Sequence, residues 1–183
     1  MFSDFKLDGY GNYFAFAFDY FGVVGEILEG SNEVKVVDAF LEHYDTTGKY
    51  AFFDMTMNDN GIFLVYGNDS NGDIVVQKYD SNMNFVEEKV IINEAYEAPY
   101  DINQYGDKIY LLFKNNVYIL NNNLSFFREV ELSHHNYFDI IGSEDGFDIL
   151  GAVPCEESAP GAHCGNTGFI MNYNIETEKI SYV

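Results

Sequence analysis

The amino-acid sequence predicts an all-β fold built from repeated four-stranded units. Runs of aromatic and β-branched residues alternate with short clusters of Asn, Asp and Gly, which is the pattern of strands joined by tight turns. Aromatic residues make up 17% of the 183 residues, whereas proline, which interrupts strands, occurs three times. Helical periodicity is weak, since its best stretch, 36–43, is about two turns long.

An internal repeat is the third observation behind this prediction. Each copy opens with an aromatic residue, has an aliphatic residue two positions later and a Gly-containing turn in its middle, and then enters an apolar run. Three copies place Asp directly after the aromatic residue, at Asp54, Asp101 and Asp139, whereas the first copy has Lys6 there. The copies align without gaps over the segments 5–18, 53–66, 100–113 and 138–151.

Each copy continues into two further strands. The third strands are expected at 34–37, 74–80, 117–121 and 169–174. The fourth strands are expected at 49–52, 85–91, 126–132 and 179–183. Four antiparallel strands in about 40–50 residues form one blade of a β-propeller, whereas a sandwich or meander with accidental similarity is the alternative. We therefore predict one propeller-like domain, 1–183, four-bladed or part of a larger ring, with units of about 1–52, 53–99, 100–137 and 138–183.

One copy of the repeat also resembles known blade families. The segment APYDI (98–102) followed by GDKIY (106–110) is similar to the opening of an NHL-type blade. Continued through 111–115, it resembles a hemopexin-type blade, a family with four blades in a chain of about this size and an Asp near the start of the innermost strand. The resemblance implies an architecture and no particular activity.

The recurring Asp residues are the candidate metal ligands. In a propeller the innermost strands line a central channel, so Asp54, Asp101 and Asp139 would meet near its axis. Like charges at close range repel one another unless they are neutralised. A channel Ca²⁺, which accepts carboxylate oxygens, is one solution. The alternative is that each carboxylate accepts backbone N–H bonds where its blade begins.

The two cysteines indicate a cellular location. Cys155 and Cys164 lie in one Pro- and Gly-containing loop of the last unit, a placement that favours a local disulfide. A disulfide predicts an oxidising compartment, and hence an extracellular or a cell- or virion-surface protein. Two free thiols are one alternative, and the other is a zinc site with His163 and either His134 or His135.

The candidate binding face is formed by loops. The connections between units and the cysteine loop are expected on one face of the propeller, together with the long segment 22–32, which we predict as a loop. Each of these residues on its own also fits a solvated loop position. The binding residues predicted on this face are Glu94, Tyr96, Glu97, His134, His135, Glu156, Glu157 and His163.

Net charge limits the partners. With a formal charge of −21 and Arg128 as its single arginine, the chain is not expected to bind nucleic acid or an anionic membrane. No apolar run reaches the ~18–20 residues needed for membrane insertion, and residues 1–4 do not open a signal peptide.

No catalytic motif is found in the sequence. We therefore predict a non-enzymatic binding or assembly module that recognises a protein or a glycan. Two alternatives remain. One is a Ca²⁺-dependent hydrolase or lactonase-type propeller with its site at the channel mouth. The other is a structural subunit that completes a propeller through open sheet edges, either with a partner chain or by self-association.

Overall fold

The computed structural model describes residues 13–18, 21–27, 34–40, 53–58, 61–68, 72–80, 82, 84–92, 99–133, 136–153 and 167–182. For 13–18, 21–27 and 34–40 the structure describes the backbone and not the side chains. The described residues contain no helix that is long and apolar enough to cross a membrane.

The described strands form four antiparallel sheets, each in sequence order. The first sheet contains β1 (Tyr13–Phe18), β2 (Phe21–Ile27) and β3 (Val34–Phe40). The second contains β4 (Phe53–Asn58), β5 (Gly61–Asn68), β6 (Asp73–Tyr79) and β7 (Phe85–Ile92). The third contains β8 (Asp101–Tyr105), β9 (Lys108–Leu112), β10 (Asn116–Asn121) and β11 (Phe126–Glu131). The fourth contains β12 (Asn136–Ser143), β13 (Gly146–Val153), β14 (Thr167–Asn174) and β15 (Lys179–Tyr182).

The arrangement of the sheets confirms the all-β, propeller-like prediction. Each of the last three sheets has four strands, and consecutive strands are joined as hairpins. The first strands of these three sheets lie beside one another, β4 against β8 and β8 against β12. The first strands of successive sheets therefore line one side of the molecule, as the inner strands of propeller blades do.

Two-residue turns set the register of the repeat. In every sheet the first and second strands are joined by such a turn, for example between Tyr105 and Lys108. Asp54, Asp101 and Asp139 each lie four residues before the last residue of their first strand, so the three are in phase. In the first copy the aligned residue is Lys6, which lies outside the described residues.

The first sheet corrects one local prediction. The segment 22–32 was expected to be a loop, but β2 occupies most of it and pairs with both β1 and β3. Gly22 and Gly25 weaken the strand pattern locally, whereas pairing on both sides supplies the missing stability. The strand expected at 34–37 is found as part of β3, which also includes residues 38–40 of the weak helical stretch. The strands predicted near 5–7 and 49–52 lie outside the described residues.

Sheets pack face to face along the chain, and we call the side toward the following sheet the forward face and the opposite side the back face. The forward face of the second sheet includes Phe63, Val65 and Val76. It packs on the back face of the third sheet, which includes Ile102 and Leu111. All five side chains are buried, so this contact forms one continuous hydrophobic core.

The same contact recurs one sheet further on. The forward face of the third sheet includes Tyr110, Leu112 and Val117. It packs on the back face of the fourth sheet, where Ile140 and Ile149 are fully buried. The repeat in the sequence is therefore a repeat of interfaces as well as of strands.

Gly142 shows how closely the third and fourth sheets approach. A Cβ atom on this residue would lie 2.7 Å from both Tyr105 Cβ and Tyr110 Cε2. The N–H of Gly142 donates a hydrogen bond to Asn103 Oδ1 at 3.0 Å. A side chain is thus excluded here because a neighbouring sheet occupies the space.

Candidate functional site

Two buried carboxylates fasten neighbouring sheets together. The N–H of Ile102 donates to Asp54 Oδ2 at 3.3 Å, and the N–H of Ile140 donates to Asp101 Oδ2 at 3.0 Å. Both Asp residues are 6% exposed. Each donor residue directly follows the aligned Asp of the next sheet, so the bond repeats with the sequence. A carboxylate held by backbone N–H groups satisfies the need of a buried charge for partners.

The third aligned carboxylate differs, because Asp139 is exposed. Among the described residues no group of three or more His, Cys, Asp or Glu side chains is placed to hold a metal ion. Backbone donors thus engage Asp54 and Asp101, and a channel Ca²⁺ shared by the three carboxylates stays a prediction.

The predicted loop residues lie outside the described part of the chain. Described strand ends do flank them, since Asn136 pairs with Ala152, and Val153 pairs with Thr167. The start of β12, the end of β13 and the start of β14 therefore lie at the same end of the fourth sheet, and the binding face itself stays a prediction. The residues concerned are Glu94, Tyr96, Glu97, His134, His135, Glu156, Glu157 and His163, together with Cys155 and Cys164.

The forward face of the fourth sheet is apolar and exposed. Leu150 is 50% exposed and Ile170 is 45% exposed, and the two are paired across β13 and β14. Leu112 and Val117 are paired in the same way in the third sheet and are fully buried. Ile141, on the neighbouring β12, is 59% exposed. We call Ile141, Leu150 and Ile170 the open face.

Polar groups border the open face. Asp139 pairs directly with Leu150 across β12 and β13. Asp148 pairs with Ile141 and accepts a hydrogen bond from Asn172 Nδ2. The face is thus a small aliphatic surface with carboxylates at its margin, which is the general composition of a protein contact site.

In the third sheet, the position equivalent to Asp148 holds a neutral, buried side chain. Tyr110 holds this register position in the third sheet and is buried. Burial, followed by the negative charge of Asp107, raises the pKa of Tyr110 to about 12. The phenol therefore stays neutral inside the covered face, whereas the fourth sheet carries a carboxylic acid at the margin of an exposed one.

The only arginine of the chain joins the third and fourth sheets. Arg128 Nη1 donates to Tyr173 Oη at 3.2 Å and to the carbonyl oxygen of Ile175 at 3.0 Å. The same nitrogen lies 3.0 Å from Glu178 Oε1. These contacts fix the guanidinium between two sheets, so its role in this structure is architectural.

The sequence did not reveal the open face. The alternating apolar residues of β13 and β14 were recognised as strands, but the same alternation marks the covered faces. A covered face differs from the open face only in having another sheet packed on it. Hydrophobic alternation within a strand does not indicate whether such a sheet is present.

Comparisons with known proteins address the fold. A scan against models of protein families finds no match, and a search of curated protein sequences finds none. A crystal structure of a protein of unknown function from Bacteroides caccae is similar with a TM-score of 0.57 and 13% identity, over 100% of this chain and 60% of that one. The tricorn protease is similar with a TM-score of 0.56 and 14% identity, over 100% of this chain and 17% of that one.

These similarities, with the sheet order, define a generic β-propeller repeat protein. At such identities a shared fold is all that a likeness shows. The chain spans 60% of the Bacteroides caccae protein and 17% of the tricorn protease chain, so no whole-protein activity transfers. The WD40 domain of Neurospora crassa Pan2 aligns with 98% of this chain and 64% of its own at 13% identity, with a TM-score of 0.41, which is too low to support an inference.

Proposed function

We propose that the protein is a non-enzymatic binding and assembly module whose open face joins a β-sheet surface of a protein partner. The observation that carries this proposal is the 50% exposure of Leu150, because its equivalent Leu112 is fully buried between sheets. Exposed apolar surface costs roughly 25 cal/mol per Å² relative to burial, so covering the open face is favourable. Contiguous apolar patches bordered by polar groups are typical of interaction sites.

The covered faces indicate what the partner surface should look like. The second and third sheets are each covered by an aliphatic sheet face and receive one backbone N–H bond at an Asp side chain. The fourth sheet offers the corresponding parts, with Leu150 and Ile170 as the apolar contact and Asp139 at the aligned position. A partner sheet with an aliphatic face and an accessible strand backbone fits this arrangement.

We propose, in addition, that the binding face formed by loops contacts a ligand. Its Tyr96, His134 and His135 would contact a protein or stack on a glycan, since aromatic rings serve both purposes. An extracellular or cell- or virion-surface location rests on the spacing of Cys155 and Cys164. The hydrolase or lactonase alternative is not favoured, because Asp54 and Asp101 are engaged in joining sheets.

We expect the isolated chain to bind the apolar dye bis-ANS at its open face. At a dilution where the chain is monomeric, Leu150→Glu combined with Ile170→Glu should lower dye fluorescence several-fold, because two charges replace the apolar contact surface. The matched control is Phe126→Glu on β11, a residue that is 58% exposed and distant from the open face in strand order. Both variants should keep the circular dichroism and Tm of the parent, because all three positions are solvent-exposed.

Two results would overturn this proposal. One is a parent chain that is folded but binds no dye at any dilution. The other is a double variant that is folded and binds as much dye as the parent, which would place the apolar binding surface elsewhere.

A further inference from the structure

We infer that the partner of the open face is a protein other than this chain, whose contacting strand carries a Lys or Arg beside aliphatic side chains. The cation pairs with Asp148, and the aliphatic side chains cover Leu150 and Ile170. This inference rests on the proposed function, since it gives the chemistry of the partner of the same face.

Each covered face sends one cation to the sheet that covers it. In the second sheet, Lys78 Nζ donates to the carbonyl oxygen of Asn122 at 2.7 Å. In the third sheet, Arg128 Nη1 donates to the carbonyl oxygen of Ile175 at 3.0 Å. Asn122 and Ile175 are equivalent, because each directly follows the last residue of the third strand of its sheet. A charge-assisted hydrogen bond to a backbone carbonyl therefore recurs between sheets, as the Asp links do.

Both cations belong to the same row across their sheets, and that row also holds an aromatic side chain. Lys78 pairs with Phe63 across β5 and β6, and its Nζ lies 5.5 Å from the centre of that ring. Arg128 pairs with Ile119, which in turn pairs with Tyr110 on β9. Phe63 and Tyr110 are equivalent, since each is the third residue of the second strand of its sheet.

The fourth sheet differs in this row, whose residues are all described. The third residue of its second strand is Asp148, which pairs with Asn172, and Asn172 pairs with Ser181. The positions of Lys78 and Arg128 are thus held by Asn172 and Ser181. A surface that packs on the open face meets a carboxylate where the covered faces supply a cation. The cation has to come from the partner.

The carboxylate of Asp148 can accept such a cation. Its Oδ1 accepts a hydrogen bond from Asn172 Nδ2, and among the described residues no other group is bonded to this carboxylate. A partner that covered Asp148 without a cation would bury an unpaired charge, which is strongly unfavourable. A Lys or Arg removes that penalty and adds a charge-assisted hydrogen bond. Asp139, which pairs with Leu150, adds a second negative charge beside the same aliphatic surface.

Pairing of two open faces fits this arrangement poorly. It would bring Asp139 and Asp148 of both copies into one contact, and like charges at close range repel one another. The chain has 30 acidic and 9 basic residues, so attraction at long range also favours a basic partner. A basic β-strand surface of a different protein meets both conditions.

Fluorescence anisotropy with synthetic β-hairpins tests this inference. The probe is a labelled, backbone-cyclised hairpin with two Val and one Lys on its contacting face and Thr on the other face. We expect the parent chain to bind it, and to bind a hairpin with Gln in place of Lys about ten-fold more weakly, because the pair with Asp148 is lost. A hairpin with Ser in place of both Val should also bind more weakly, because the apolar contact is lost.

Variants of the protein locate the contact. Asp148→Asn should raise the dissociation constant of the Lys hairpin about ten-fold, whereas Glu131→Gln should change it by less than about two-fold. Glu131 is exposed at the end of β11, and both variants lose one negative charge, so attraction at long range changes equally. Leu150→Ser with Ile170→Ser should weaken binding of the Lys and Gln hairpins alike, without a change in net charge.

A charge exchange tests direct pairing. Asp148→Lys should bind a hairpin with Glu in place of Lys more tightly than the parent does, because the two charges have changed places. All these variants should keep the circular dichroism of the parent, since their positions are at least partly exposed.

The contrary outcomes separate this inference from the proposed function. Equal binding of the Lys and Gln hairpins, or equal effects of Asp148→Asn and Glu131→Gln, overturns the basic partner and leaves an apolar contact site. Self-association that Leu150→Ser with Ile170→Ser abolishes in sedimentation velocity would identify a second copy as the occupant, and overturns it too. A parent that binds bis-ANS at the open face but no hairpin overturns this inference alone. A folded parent that binds neither removes both proposals.

Discussion

Leu112→Ala should lower the free energy of unfolding by about 2–5 kcal/mol, whereas Leu150→Ala should lower it by less than about 1 kcal/mol. The two residues hold the same register position in neighbouring sheets. Leu112 is fully buried between the third and fourth sheets, so its truncation leaves a cavity. Leu150 is half exposed, so its truncation removes little contact.

Urea unfolding followed by circular dichroism measures this difference, at a protein concentration where both variants are monomeric. Each leucine serves as the other's control, because both changes remove the same atoms from the same type of strand. Equal losses of stability would contradict the account, since they would mean that the monomer covers both faces or neither.

Asp101→Ala should lower the free energy of unfolding by about 1–3 kcal/mol, because the N–H of Ile140 would lose its acceptor in a buried contact. Asp101→Asn should cost less, since an amide oxygen can still accept that bond. Asp139→Ala, at the aligned but exposed position of the fourth sheet, should have a small effect on the monomer.

The same unfolding measurement compares these three variants. If Asp139→Ala destabilises the monomer as much as Asp101→Ala does, the link between sheets is not the source of the effect. If Asp101→Asn is as harmful as Asp101→Ala, the carboxylate has a role beyond accepting this N–H, and the channel Ca²⁺ prediction would then gain support.

Most strands of the last three sheets could be predicted from the sequence. The two-residue turns, such as the one at Gly106 and Asp107, keep aromatic, aliphatic and Asp positions in phase. In the first sheet we missed β2, because Gly22 and Gly25 weaken its strand pattern. Pairing with both β1 and β3 forms this strand nonetheless.

The candidate site was less predictable, for physical reasons. Asp54 and Asp101 are buried because the next sheet packs over them. Two of the three acidic residues that suggested a cation site therefore accept hydrogen bonds from a neighbouring sheet. The open face has the same alternation as the covered faces. Its exposure depends on the absence of a further sheet in space, which sequence periodicity does not encode.

Hydroxyl-radical footprinting of the dilute, folded monomer tests the central claim most directly, because it reads the solvent exposure of individual side chains. We predict that Leu150 and Ile170 are oxidised nearly as fast as in the unfolded chain, whereas Leu112 and Val117, their register equivalents, are strongly protected. Protection of Leu150 and Ile170 to the same degree as Leu112 and Val117 would contradict the account, since the chain would then cover its own last sheet.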